Sequence, residues 1–477
     1  MLRIKSHITV SFQYLPALFG IAFTGLLIGF LVARIPEEKI GFAFVFSFLF
    51  LPAAIFALNS KPLTRFYAMV FFLPFLQALS VKFGPRWSLS ELLAWSITLP
   101  ALAGIQKNVV SNDGRDVLKL LLITFLYSIC ISSLALVLIL PQFPWNPAAL
   151  YFFKSPLART IVENARLLAA FGAIVALLKY VRSENSFLKT MRLFGLSGIA
   201  ASTYGLYQGV QMLWMPSLPL LPGTLSQSGL RLWGSFYEPN GFGGFCLITF
   251  IVLGFLAAYD RRCRWLWLIG LVTTMAGVVF SVATTAWIAG MVAGGILMIS
   301  SLHKIRYTPR ALFIILSTVI ILLLILHFAG QLLDLAEMFW RNRSLANLEH
   351  RFEDIVVERF GATIRWLTVS PVGIGQGLMV FLYAGAGGIL RWITEMGIIG
   401  TLLILSLQWK IWKAILLLFR KRGLFGAFAP FAVALYVGTL IVASRYGHPT
   451  DVWIWFVLCL PLVVFNKDLS FRYHRIS

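Results

Sequence analysis

Apolar positions run through this chain in long unbroken stretches instead of alternating with polar ones. A stretch of roughly 17 to 25 apolar residues crosses the hydrocarbon core of a bilayer as a helix. Fourteen such stretches can be placed if a few short ones tilt or thin the bilayer. The first seven are 14–33, 41–58, 66–81, 89–105, 120–140, 161–178 and 194–213. The others are 241–258, 265–283, 285–302, 311–328, 390–407, 426–443 and 452–465, with a tight turn at Ala283 to Thr285 between the ninth and tenth. The pattern predicts an all-α polytopic membrane protein of about 14 transmembrane helices (range 12–14), and residues 1–477 read as one integral membrane domain.

Two connections break the rhythm of short loops: 212–240, and a longer stretch over 329–389. Long loops are where function concentrates. Within the second, Phe352, Ile355, Val356, Phe360, Ile364 and Leu367 recur at three- and four-residue steps. That spacing predicts an amphipathic helix lying along the outer membrane boundary. No internal repeat, low-complexity linker or separate soluble domain is visible in the pattern.

Composition sharpens the class. The chain is 59% hydrophobic and only 12% charged, with a mean hydropathy of +0.85, whereas a soluble domain carries about 25% charge. Lys plus Arg number 40 against 18 Asp plus Glu, a net charge of +22. On so apolar a chain this points to cytoplasmic loops and anionic ligands, and without a basic soluble face nucleic acid is not an expected partner. Counting basic residues in alternate connections puts 25 on the side of the N-terminus and 15 on the other, so both termini are expected in the cytoplasm. The apolar run that follows MLRIK has no small-residue cleavage site before Arg34 and reads as a retained first span. Cys130, Cys246, Cys263 and Cys459 have no paired spacing, which argues against disulfides, zinc sites and iron–sulfur clusters. Most of the 15 Trp and 14 Tyr fit an interfacial belt.

Three stretches could carry chemistry. The first is RLWGSFYEPNGFGGF, Arg231 to Phe245. Here a cation, a turn on Pro239, Asn240 and Gly241, and a Gly-rich helix start put backbone N–H groups and positive charge together; the plainer reading is a punctuated loop with close-packing glycines. The second runs from Glu358 to Gly377 and sets Arg359 and Arg365 ahead of a turn at Pro371, Gly373, Gly375 and Gly377. The third, Gly387 to Gly400, puts Arg391 and Glu395 one helical turn apart. Guanidinium groups at an outer surface suit phosphate oxygens, which they bind bidentately. The plainer readings are an ordinary i,i+4 pair between Arg391 and Glu395 and a solvated charge at Arg365. The GIGQG run lacks a surrounding βαβ unit and is no dinucleotide fingerprint.

In this order and spacing the three stretches resemble the bacterial O-antigen ligase and polysaccharide polymerase family. The likeness rests on G-S-F-x-x-P-N-x-F-G at Gly234 to Gly243, on R-x-x-x-x-x-R-W…P-x-G-I-G at Arg359 to Gly375, and on E-x-G-I-I-G at Glu395 to Gly400. It spans roughly Arg231 to Ile404; the earlier spans resemble the family in hydropathy alone. Two features depart from it: Ala386 and Gly387 stand where the ligases carry a His-Asn pair, and the turn after the ninth span reads Ser281, Val282, Ala283, Thr284 without an Arg. The missing His favours the polymerase side.

The resemblance implies glycosyl transfer at the outer face of the bacterial cytoplasmic membrane, with sugar chains carried on undecaprenyl pyrophosphate, no metal and no cofactor. Membrane lipid and a chain-length regulator are further candidate partners. Cations are needed where the leaving pyrophosphate accumulates charge; Arg231, Arg365 and Arg391 are the candidates, with Arg359 a weaker fourth. Glu238 is the best-placed base, or it neutralises Arg231 or caps the eighth span. Asn240, Glu395 and His448 are candidate substrate contacts. His448 and His350 are the two histidines that clearly fall outside, and a lone loop His is more often only solvated. Glu91, within the fourth span, is a functional candidate by its location, although it sits one turn from the surface. The rival class is a lipid-linked oligosaccharide flippase, which would show charges scattered mid-span; here the spans read as nearly charge-free.

Overall fold

The computed structural model describes residues 59–76, 80–82, 86–103, 110–142, 155–214, 232–236, 238–304, 360–376, 378–379, 388–445 and 450–466. The predicted spans 14–33, 41–58 and 311–328 and the start of the amphipathic helix lie outside them. Almost all the rest is helix: α1 (Pro62–Phe72), α2 (Leu89–Ala103), α3 (Asn112–Leu134), α4 (Pro156–Tyr180), α5 (Glu184–Trp214) and α6 (Pro239–Tyr259). There follow α7 (Arg264–Ser281), α8 (Thr284–Lys304), α9 (Gly361–Val369), α10 (Gly388–Phe419), α11 (Gly423–Arg445) and α12 (Val452–Cys459). Among the described residues, six helical stretches are long and apolar enough to cross a membrane.

Two expectations change. The predicted span 66–81 ends early, at Phe72, and residues Ser80–Lys82 (β1) and Arg86–Ser88 (β2) form a short antiparallel hairpin with Ser80 opposite Ser88. The predicted span 390–407 runs on to Phe419, so Lys410 and Lys413 are helical, not loop residues. They donate to Asp113 and Asp116 at the start of α3, at 2.8 to 3.3 Å.

The outward faces of α3, α7 and α10 are apolar. Leu122, Ile123, Leu126 and Ile129, then Ile269 and Val272, then Leu402 and Leu405, are all exposed. A water-soluble protein does not show such continuous apolar surface, and lipid is the solvent that suits it. Trp265 and Trp409 are strongly exposed beside Arg264 and Lys410, as interfacial tryptophans are. The chain is a helical membrane protein.

Inside, Phe236 and Phe245 pack edge-on against Trp453, and Phe187, Phe255 and Phe428 form a second aromatic group. Helices approach closely where the side chain is absent: a Cβ on Gly198 of α5 would run into Thr249 of α6, the small-residue contact that drives association in lipid. Pro100, inside α2, lacks the N–H that would bond the Ser96 carbonyl. Arg65 of α1 reaches that carbonyl at 3.4 Å.

The two ends of the bundle differ in chemistry. At one end Arg192 of α5 holds Asp260, just after α6, through two hydrogen bonds of 2.7 and 2.8 Å, and Trp267 donates a third. The Arg192 guanidinium, helped by the Trp267 indole, holds the Asp260 carboxyl below its ordinary value despite the opposing effect of burial. A depressed folded-state pKa stabilises above the unfolded value, about 3.9, and the contribution fades as pH falls through the folded value. Asp260→Asn should therefore lower thermal stability at pH 7 by about 1–3 kcal/mol, the worth of hydrogen bonds to a charged group. Unfolding curves of parent and variant should begin to converge below about pH 4 and meet only once the pH has passed the lowered value of the folded state; a gap that did not narrow on acidification would show that the carboxylate's charge is not what matters.

Candidate functional site

At the opposite end, α2, α4, α10 and the segment entering α12 bring six charged side chains together in the interior. Arg159, Glu163 and Arg166 share one face of α4 at i, i+4 and i+7. Glu163 Oε1 lies 2.7 Å from Arg159, 3.6 Å from Arg166 and 3.6 Å from Arg391 of α10. Its other oxygen accepts from the Thr450 hydroxyl at 3.1 Å. Arg391 also holds Glu395 at 2.9 Å, and Arg166 holds Glu91 of α2 at 3.1 Å. Glu91 in turn accepts from the backbone N–H and hydroxyl of Ser88, in the hairpin, at 2.6 and 2.9 Å. Three arginines thus face three glutamates, with Glu163 as the shared anion, and Glu163 and Glu395 are 1% and 0% exposed. Removing charges from water is costly, and a balanced, interlinked set is the form in which they are tolerated.

The charges lie within the first three or so turns of α2, α4 and α10, and Thr450 stands just before α12, so those four helices run in parallel from the site. From Arg391 to Lys410 is 19 residues of one helix, about 28 Å at 1.5 Å per residue. That matches a hydrocarbon core of about 30 Å, so the charge cluster and the lysine end sit near opposite membrane faces.

Two of the stretches singled out in the sequence interlock here through their backbones. The Pro371–Gly375 turn lies against the start of α10: Ile374 N–H donates to Thr394 O at 3.2 Å, Gly375 N–H to Glu395 O at 3.0 Å, and Ile398 N–H to Pro371 O at 2.8 Å. Gly397 adopts φ 65°, ψ −167°, a conformation that only glycine holds without strain, and it kinks α10. A Cβ there would overlap the Val372 carbonyl carbon, and one on Gly373 would come within 2.5 Å of Glu395 O. Tyr127 of α3 closes the crossing by donating to Val372 O at 2.7 Å. The first stretch and α10 meet different sides of α12: Phe236 and Phe245 pack on Trp453, three residues from Thr450, while Trp392 packs on Trp455 at 4.9 Å.

A neutral seam borders the cluster. Asn164, next to Glu163, accepts from Ser128 at 2.7 Å and donates to Ser132 at 3.2 Å and to Thr160 O at 2.9 Å. Ser132 also accepts from the Gln376 N–H at 3.0 Å.

Of the eight residues singled out in the sequence, Arg391 and Glu395 enter the cluster. Arg365 is exposed on α9 and donates to Gly361 O of its own helix at 3.3 Å. Glu238 stands at the N-cap of α6 but its side chain makes no capping hydrogen bond, which corrects the capping alternative. Asn240 is half-buried in the first turn of α6. Arg231, Arg359 and His448 lie outside the described residues. Glu91, expected near water, is 4% exposed and tied into the network. The expectation of nearly charge-free spans fails as well, since Glu163, Arg166, Arg391 and Glu395 are buried within them.

Sequence reasoning missed Arg159, Glu163 and Arg166 as a group. The available signal was three charges on one helical face at the edge of an apolar run, a placement that marks function in membranes. No family model matches the chain, and no curated protein matches it.

Proposed function

We propose that the chain is a metal-independent glycosyltransferase of about 14 spans in the bacterial cytoplasmic membrane, with both termini in the cytoplasm and the Arg/Glu cluster facing outward. Its reaction is the joining of undecaprenyl-pyrophosphate-linked sugar chains, as a polysaccharide polymerase; an O-antigen ligase delivering the chain to another acceptor is the close alternative. The observation that carries the reading is the seating of the Pro371–Gly375 turn on the helix of Arg391 and Glu395, which joins two of the stretches whose order and spacing resemble that family. The Lys-rich opposite end fits a cytoplasmic face.

In this reading an acceptor hydroxyl attacks the anomeric carbon of the donor, the bond to pyrophosphate breaks, and the pyrophosphate leaves with its lipid. Arg391, and Arg365 from the exposed helix nearby, stabilise the charge that develops on the leaving group. The hydroxyl proton passes to a carboxylate, for which Glu238 is the candidate. With Ala386 and Gly387 in place of a His-Asn pair, no ligase-type histidine is available at those positions.

Buried charge on α2, α4 and α10 gives a second reading its support, that of a lipid-linked oligosaccharide flippase. Cells lacking the protein separate the two. Single repeat units left unpolymerised on their lipid carrier in the outer leaflet are expected, and Arg391→Ala at parental abundance should reproduce them with a loss of polymer of about 100-fold or more. Full-length lipid-linked polymer that is never transferred would indicate the ligase. Intermediates trapped facing the cytoplasm would replace the transferase reading with the flippase.

A further inference from the structure

Gln376 follows the turn that seats on α10 and is 0% exposed, and neither polar atom of its side-chain amide has a hydrogen-bond partner among the described residues. Thr160, one turn before Asn164 on α4, is 5% exposed, and its hydroxyl likewise lacks one. Both border the same seam: Gln376 through its N–H on Ser132, Thr160 through its carbonyl on Asn164. An amide offers two donors and an acceptor, and a hydroxyl offers one donor and accepts. Burying them without partners is costly, and such groups are retained where something else satisfies them. They are neutral, so an anion is not their match; a ligand carrying both donors and acceptors on a compact frame is. Gly375, beside Gln376, is hydrogen-bonded to the backbone of Glu395, which puts the seam one residue from the charged cluster.

We propose that Gln376 and Thr160 form a neutral recognition subsite for the hydroxyl or acetamido groups of the sugar ring adjoining the diphosphate. The inference rests on the glycosyltransferase reading and adds to it where the first sugar is read. A site built to hydrogen-bond a hydroxyl discriminates strongly against a ligand that lacks it, because its own polar groups are then left unpaired.

The test uses the full chain in lipid nanodiscs, with native mass spectrometry of two probes: undecaprenyl diphosphate, and the same lipid bearing one N-acetylglucosamine. The parent should prefer the sugar-bearing lipid by about tenfold or more. Gln376→Leu, alone and with Thr160→Val, should reduce that preference to about twofold or less while leaving the bare lipid's affinity unchanged. Both variants should unfold at or above the parental temperature, because an unpaired buried polar group has been removed. Preference retained in Gln376→Leu would overturn the subsite, and so would preference lost together with a lower unfolding temperature, which marks a structural amide. No preference in the parent, with the bare lipid still bound, would overturn the subsite alone. If neither lipid binds, the glycosyltransferase reading falls, and saturation-transfer NMR with free N-acetylglucosamine decides the subsite separately. A transfer signal seen in the parent and abolished by Gln376→Leu would keep the subsite; a signal that the substitution leaves unchanged, or that the parent never gives, would end it.

Discussion

Glu163→Ala destabilises the protein by about 3–5 kcal/mol, the usual cost of breaking a buried ion pair from one side. The reason is the geometry of the shared oxygen: Arg159, Arg166 and Arg391 all face Glu163 Oε1 within 2.7 to 3.6 Å. Its loss leaves three buried cations against two carboxylates. Glu163→Gln keeps the shape and the Thr450 contact but not the charge, and should fall between the two. Because the partners are coupled, Arg159→Ala added to Glu163→Ala should cost less than the sum of the single changes. Thermal unfolding in detergent measures the parent and all four variants; a parental transition in Glu163→Ala would mean that this carboxylate does not balance the cluster.

Gly397→Ala is the second large effect. It combines a backbone conformation open only to glycine, costing about 1–3 kcal/mol, with a Cβ placed against the Val372 carbonyl carbon. The Pro371–Gly375 turn cannot stay seated, so the rungs from Ile398 to Pro371 and from Gly375 to Glu395 are lost with it. The expected outcome is a total cost of more than about 3 kcal/mol and a sharp drop in membrane abundance. Gly361→Ala is the control: among the described residues nothing lies within reach of a Cβ there, and its stability should match the parent's within about 0.5 kcal/mol. Equal stability of the two variants would contradict the interlocked turn.

Much of the fold was legible because lipid imposes one simple rule, an apolar helix of sufficient length. The runs predicted at 241–258, 265–283 and 426–443 match α6, α7 and α11 within about three residues. The same rule failed where polar residues are satisfied by partners distant in sequence. Lys410 and Lys413 look like a loop after an apolar run, and only Asp113 and Asp116, some 300 residues earlier, explain why α10 continues past them. The hairpin at 80–88 was hidden because Val81 extends the preceding apolar run.

The site was legible in part for a related reason. Glycine, proline and arginine patterns marked the turn at Pro371 and the pair Arg391 and Glu395, but nothing in the spacing showed that one turn would hydrogen-bond to the other's helix. Arg159 and Glu163 lie at the edge of an apolar stretch, where charge usually means the start of a loop. Their meaning comes from Arg391, more than 200 residues away.

The most direct measurement is reconstitution of the purified chain in proteoliposomes with undecaprenyl-pyrophosphate-linked repeat units, followed by analysis of the glycolipids and of the leaflet that each occupies. The account predicts new glycosidic bonds, with undecaprenyl pyrophosphate released in step and both products lost in Arg391→Ala. Repeat units that cross the bilayer with no new bond formed would contradict it and make the chain a transporter.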